Sequence, residues 1–65
     1  MNMVYEIPVY LPDGTHETVY ISEEFFREEK LDRGSNLEGY IIDLIYCGQF
    51  VNVGYPRLVE ERESV

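Results

Sequence analysis

The sequence predicts one small α+β domain of ββααβ order: an N-terminal β-hairpin and a third short strand, in sheet order 2-1-3, packed by a short and a longer helix. Three observations predict it. Two runs rich in Val, Ile and Tyr flank the turn-forming tetrad Pro12-Asp13-Gly14-Thr15, the pattern of a hairpin. Residues 35–48 hold the one long segment of helical period, with Leu37, Tyr40, Ile41, Leu44, Ile45 and Gly48 on one face. Finally, 65 residues are enough for one domain and one modest core.

Met3 to Leu11 suits a first strand, with Met3, Tyr5, Ile7, Val9 and Leu11 on one face and Val4, Glu6, Pro8 and Tyr10 on the other. Pro8 has no N–H to give a ladder, so it lies on an edge or faces away from its partner strand. His16 to Ile21 returns as the second strand, with Glu17, Val19 and Ile21 opposed to His16, Thr18 and Tyr20. Ser22 caps a short helix from Glu23 to about Leu31. It starts with two carboxylates at the positive end of its dipole and is fixed to the core by Phe25 or Phe26 with Leu31. Glu23 with Arg27 and Glu29 with Arg33 stand at i, i+4 spacing.

Gly34 is expected to end that helix. Ser35 and Glu38 then form a capping box that starts the main helix, and Gly48 takes the left-handed conformation at its end. Gln49 to Val53 reads as the third strand, and Leu58 with Val59 as a further pairing segment. The helical crossover places the third strand beside the first and parallel to it. The domain is expected over residues 1–59, with 60–65 an acidic flexible tail.

Thirteen acidic and five basic residues give a formal charge of −8. Phosphate contacts require Lys and Arg, so direct binding to nucleic acid is not expected, nor is binding to an anionic membrane. A cationic protein surface is the compatible partner. The single cysteine cannot form an internal disulfide, and no Cys/His set has zinc spacing, so no metal or cofactor is expected. Met1 to Leu11 lacks the basic start and apolar block of a signal peptide, and no run approaches the about 20 apolar residues of a membrane span. With a free cysteine, the expected address is the cytoplasm.

Residues capable of chemistry are few. Cys47 and His16 are the only nucleophile and base of the usual kind. Cys47 sits near a helix C-terminus on the expected buried face, where a thiolate is disfavoured, so no catalytic role is assigned. The segment Asp32 to Glu38 lacks the alternating ligands of a calcium loop. Two other features stand out. Glu23, Glu24, Glu28, Glu29, Asp32, Glu38 and Asp43 crowd the two helices and their corner, a density able to imitate duplex phosphates before a basic groove. Ile42 and Tyr46 extend the apolar arc of the main helix onto a flank suited to self-association.

Thr18 to Phe25, followed by Gly34 to Ile45, resembles the strand, helix, glycine corner and helix of ribbon-helix-helix regulators. That resemblance covers residues 16–48. It implies a dimer whose paired strands enter the major groove, with His16, Thr18 and Tyr20 reading bases and the backbone at Ser35 and Asn36 holding phosphate. The strand and second helix here carry no Lys or Arg, and an extra strand precedes them. The leading expectation is therefore a small acidic, non-enzymatic protein-binding module. It would act as an inhibitor or modulator of a basic, nucleic-acid-binding site, of the kind phages and viruses encode. A ribbon-helix-helix-like dimeric regulator and a structural subunit of a larger assembly are the alternatives.

Overall fold

A computed structural model of the chain describes residues 2–61. Strand β1 (Met3–Tyr10) is the centre of a four-stranded antiparallel sheet. Strand β2 (His16–Ser22) pairs along one edge, from Tyr10 opposite His16 to Val4 opposite Ser22, without a bulge. Two short strands share the other edge: β3 (Asn52–Val53) opposite Val9 and Tyr10, and β4 (Arg57–Glu60) opposite Met3 to Glu6. The small α+β class and the order 2-1-3 are those the sequence predicts. The direction of the third strand is not: β3 runs antiparallel to β1. The crossover rule governs the two strands that a helical connection joins, and these are β2 and β3, parallel to each other with β1 between them.

The hairpin turn follows its chemistry. The Asp13 carboxylate accepts the Thr15 hydroxyl at 2.6 Å and the Thr15 N–H at 2.9 Å, while Gly14 takes φ +92°. The hydroxyl first, then the amide, hold the Asp13 carboxyl below its ordinary range.

Pro8 lies within β1, and its carbonyl accepts the Gly54 N–H at 2.8 Å. In an antiparallel strand the N–H and C=O of one residue face the same edge, so Pro8 turns its backbone away from β2. It has no N–H for the other edge, and there the chain leaves the ladder between β3 and β4. A Cβ at Gly54 would lie 2.6 Å from Pro8 Cγ and 3.3 Å from the Pro8 carbonyl oxygen, so glycine is needed for this approach.

Helix α1 (Glu23–Glu28) starts at Ser22, whose Oγ accepts the Phe25 N–H at 3.2 Å. Phe26 docks the helix by stacking on Tyr5, with ring centroids 3.9 Å apart. The helix stops before Leu31. Lys30 takes φ 54°, its N–H reaches the Arg27 carbonyl, and the Leu31 N–H reaches the Phe26 carbonyl at 3.0 Å. This is a Schellman end whose apolar pair, Phe26 and Leu31, is buried in the core. Lys30 thus ends the helix before Gly34, the residue expected to end it; Gly34 has φ 53° further along the corner. Glu29 is already the cap residue, so the helical Glu29–Arg33 pair does not form.

Helix α2 (Asn36–Tyr40) begins without the expected capping box. Ser35 has φ −100° and ψ 18° and makes no side-chain cap bond, because its backbone is not in the extended conformation an N-cap uses. Asn36 instead donates its side-chain N–H to the Lys30 carbonyl at 2.9 Å, tying the two helices together. The helix then widens into a π-helical turn (Ile41–Ile45), with the Tyr46 N–H bonded to the Ile41 carbonyl at 3.1 Å.

That extra residue in the turn reverses the expected faces. Leu37 and Ile41 are buried, and the next inward residue is Tyr46, five positions on, with Ile42 beside it. Ile42 and Tyr46, expected on an outer flank, are half-buried against the core. Leu44 and Ile45, expected inside, are 68% and 40% exposed, and Cys47 is exposed with φ 53°.

The core lies between one face of the sheet and the helices. Ile7, Val9, Ile41 and Val51 are fully buried, surrounded by Ile21, Phe26, Leu31 and Leu37. Regular pairing runs past the expected boundary at residue 59. Glu60 pairs with Met3, and the Glu61 N–H bonds to the Asn2 carbonyl at 2.9 Å. The rest of the expected tail, 62–65, lies outside the described residues. Among the described residues no helix is long and apolar enough to cross a membrane.

The glycines differ in what they tolerate. Gly39 is in a helix with open space where a Cβ would stand, so Gly39→Ala is expected to stabilise the fold by about 0.5–1 kcal/mol. Gly54→Ala should destabilise it by about 1–3 kcal/mol, through the contact with Pro8. Urea midpoints of the two variants against the parent check both signs.

Candidate partner-binding surfaces

The helices carry the acidic residues singled out in the sequence. Ser22 fixes the start of α1, which sets Glu23 and Glu24 in its first turn. Glu23 is half-buried and pairs with Arg27 at 3.3 Å, an exposed bridge worth about 0.3–0.5 kcal/mol. Glu24, Glu28, Glu29, Asp32, Glu38 and Asp43 are exposed, and none has an ion-pair partner among the described residues. Lys30 and Arg33, in the corner between the helices, also make no ion pair there. All six free carboxylates therefore belong to the layer that covers the core face of the sheet.

One acid outside that set has a structural task. Glu17, on the core side of β2, accepts the Tyr46 hydroxyl at 2.6 Å and so joins the sheet to the end of the main helix. This bond, then burial and the Glu17 charge, push the Tyr46 phenol up to about 12.

The opposite face of the sheet has no helix over it; the ribbon-helix-helix resemblance gives a role to its His16, Thr18 and Tyr20 only. It presents Tyr10, Tyr20 and Tyr55, which are 50%, 61% and 94% exposed. Glu6 is held there between Arg57, at 2.9 Å, and the Tyr20 hydroxyl, at 3.3 Å. Tyr10 stands beside His16 with ring centroids 6.3 Å apart. Glu6, Pro8, Thr18, Tyr55 and Arg57 line a shallow open groove of about 300 Å³. Strand alternation groups Glu6 and Pro8 with Tyr10, and Thr18 with Tyr20. It is silent on Tyr55 and Arg57, which the Pro8 interruption brings alongside.

His16 and Cys47 are not brought together by any hydrogen bond: one lies against Tyr10, the other follows the π-helical turn. Among the described residues no three His, Cys, Asp or Glu side chains converge to hold a metal ion. No protein-family model matches the chain, and no curated protein or solved structure is significantly similar to it.

The Glu17–Tyr46 bond has a defined pH signature. A phenol whose pKa is raised on folding contributes stability that is fully present below its unfolded value of 10.0 and is lost as pH rises through about 12. Tyr46→Phe should delete one step near pH 12 from the tyrosinate absorbance titration. The stability gap between parent and variant should be constant at neutral pH and close under strong alkali.

Proposed function

We propose that this chain is a non-enzymatic protein-binding module that docks its acidic helical layer on a basic surface of a partner protein, as an inhibitor or modulator. The six exposed carboxylates of that layer, unpaired among the described residues, carry the reading. A carboxylate already neutralised by a neighbouring cation offers a partner little, whereas a free one steers association and pairs on contact. A groove that normally takes nucleic acid is a suitable target, because its Lys and Arg are spaced for a dense row of negative charge.

A ribbon-helix-helix-like dimeric regulator is the second reading, favoured by the exposure of His16, Thr18 and Tyr20 on the open face of the sheet. The absence of Lys and Arg from β2 and the main helix opposes it. A mobility-shift assay with duplex DNA at low salt separates the two, since the acidic-module reading expects no shift.

The leading reading is tested with the immobilised chain and a variant carrying Glu24→Gln, Glu28→Gln, Glu29→Gln and Glu38→Gln. A protein captured from lysate should leave the parent chain as salt rises. It should bind the variant about tenfold or more weakly, a loss of about 1.4 kcal/mol or more, and duplex DNA should compete with the parent for it. Equal capture by both chains would reject the acidic layer as the docking surface.

A further inference from the structure

The open face of the sheet is a grid whose rows differ in height. In one row Tyr20 of β2 stands opposite Glu6 of β1, and Glu6 opposite Arg57 of β4. In the next, Thr18 stands opposite Pro8, whose carbonyl accepts the Gly54 N–H on its other side. In the third, His16 stands opposite Tyr10, and Tyr10 opposite Asn52 of β3. The outer rows carry long side chains, and the middle row carries threonine, proline and glycine. Gly54 keeps that row low, since a Cβ there would lie 2.6 Å from Pro8 Cγ. The result is a trough across three strands, and Tyr55 joins Glu6, Pro8, Thr18 and Arg57 in lining its open groove.

The dimensions of the trough select its occupant. Its walls are four residues of β1 apart, roughly 13 Å at 3.4 Å per residue. Carbon atoms approach no closer than about 3.5–4 Å, which leaves a free width of about 9 Å. An α-helix with its side chains is about 10–12 Å across and is too wide. A β-strand is narrow enough, but its backbone would find no ladder there, because a sheet's N–H and C=O groups bond to neighbouring strands. A polyproline II segment needs no ladder: it has no internal hydrogen bonds, and its carbonyls accept from side-chain donors. Three strands about 4.8 Å apart span about 10 Å, which about three residues, one turn, of polyproline II cover at 3.1 Å each.

The groups on the walls suit the same ligand. Tyr10, Tyr20 and Tyr55 present exposed rings. Among the described residues the bonded tyrosine hydroxyls are those of Tyr20 and Tyr46, so Tyr10 and Tyr55 keep theirs to donate. Arg57 is the only Lys or Arg in the four strands, and Glu6 neutralises it at 2.9 Å. A cationic ligand thus meets no free positive charge on the strands, and the chain's charge of −8 attracts it.

We propose that this trough binds a proline-rich peptide in the polyproline II conformation, flanked by Lys or Arg, with its proline rings against Tyr10, Tyr20 and Tyr55. The site is separate from the acidic helical layer, which lies on the other side of the sheet, and it stands whether or not that layer docks a partner.

The test is an amide chemical-shift titration of the isotope-labelled chain with four probes. These are a synthetic run of ten prolines ending in two arginines, the same run ending in two glutamates, an arginine-ended peptide with alanine in place of every proline, and cellohexaose. The proline–arginine peptide is expected to shift the amides of Tyr10, Thr18, Tyr20 and Tyr55, to leave those of the helices unmoved, and to bind several-fold more tightly than the glutamate form. Tyr55→Ala, at a position 94% exposed, should weaken it about tenfold or more with an unchanged melting temperature, whereas Leu44→Ala on the helical layer should bind it as the parent does. The proposal is overturned by a proline–arginine peptide that leaves these amides unmoved at millimolar concentration or shifts the helices instead. It is overturned equally by an alanine peptide that binds as tightly, or by cellohexaose shifting these amides where the peptide does not, which would give the trough to a neutral glycan. Equal binding of the arginine and glutamate forms overturns the basic flank.

Discussion

A single strand, β1, is hydrogen-bonded along both edges, and the rest of the molecule depends on that double pairing. One edge is used by β2 without interruption. The other is used in two pieces, because Pro8 turns its missing N–H toward it and only Gly54 lets the neighbouring backbone approach. The pairing aligns Tyr5, Ile7 and Val9 with Val19 and Ile21, and this apolar face is where Phe26, Leu31, Leu37 and Ile41 settle. A chain of this size, with no internal disulfide, must draw its stability from such economy of packing. The same arrangement leaves one sheet face uncovered and one strand edge unpaired.

The second determinant is the change of pitch in the main helix. A regular α-helix would have buried Leu44 and Ile45 and left Ile42 and Tyr46 outside. The π-helical turn at Ile41–Ile45 brings Tyr46 inward to meet Glu17 and turns Leu44 out. Glu17 is thereby engaged by the Tyr46 hydroxyl, while six carboxylates of α1, the corner and α2 make no ion pair among the described residues. Acidic residues in this chain thus divide by position: some hold the fold together, as Glu6, Glu17 and Asp13 do, and those of the helical layer are largely free.

Much of this was legible in the sequence, for identifiable reasons. The hairpin was plain because turn chemistry and alternation agree from Met3 to Ile21. The Ser22 cap and the anchoring of α1 by one of Phe25 and Phe26 with Leu31 followed from local rules, and Phe26 is the one buried. What misled were places where a local rule had two solutions. Gly34 and Lys30 could both supply a left-handed residue, and the Phe26–Leu31 contact favoured the earlier. The motif Ser35 to Glu38 fits a capping box, yet Asn36 found the Lys30 carbonyl. Helical spacing cannot reveal an inserted residue, so the faces of residues 42–47 were reversed. The exposure of most acidic residues of the helices was legible, because thirteen carboxylates outnumber five cations and cannot all be neutralised within the chain. The aromatic sheet face was not, because Tyr55 and Arg57 reach it only through the break opposite Pro8.

The claim that β1 organises the fold is tested most directly by native-state hydrogen exchange. The amides of Tyr5, Ile7 and Val9, together with the Gly54 amide bonded to Pro8, should be the slowest in the molecule. They should share one rate, set by global unfolding. A Gly54 amide that exchanges freely while the β1 amides stay protected, or a slowest group lying in α1 and α2 instead, would contradict the account.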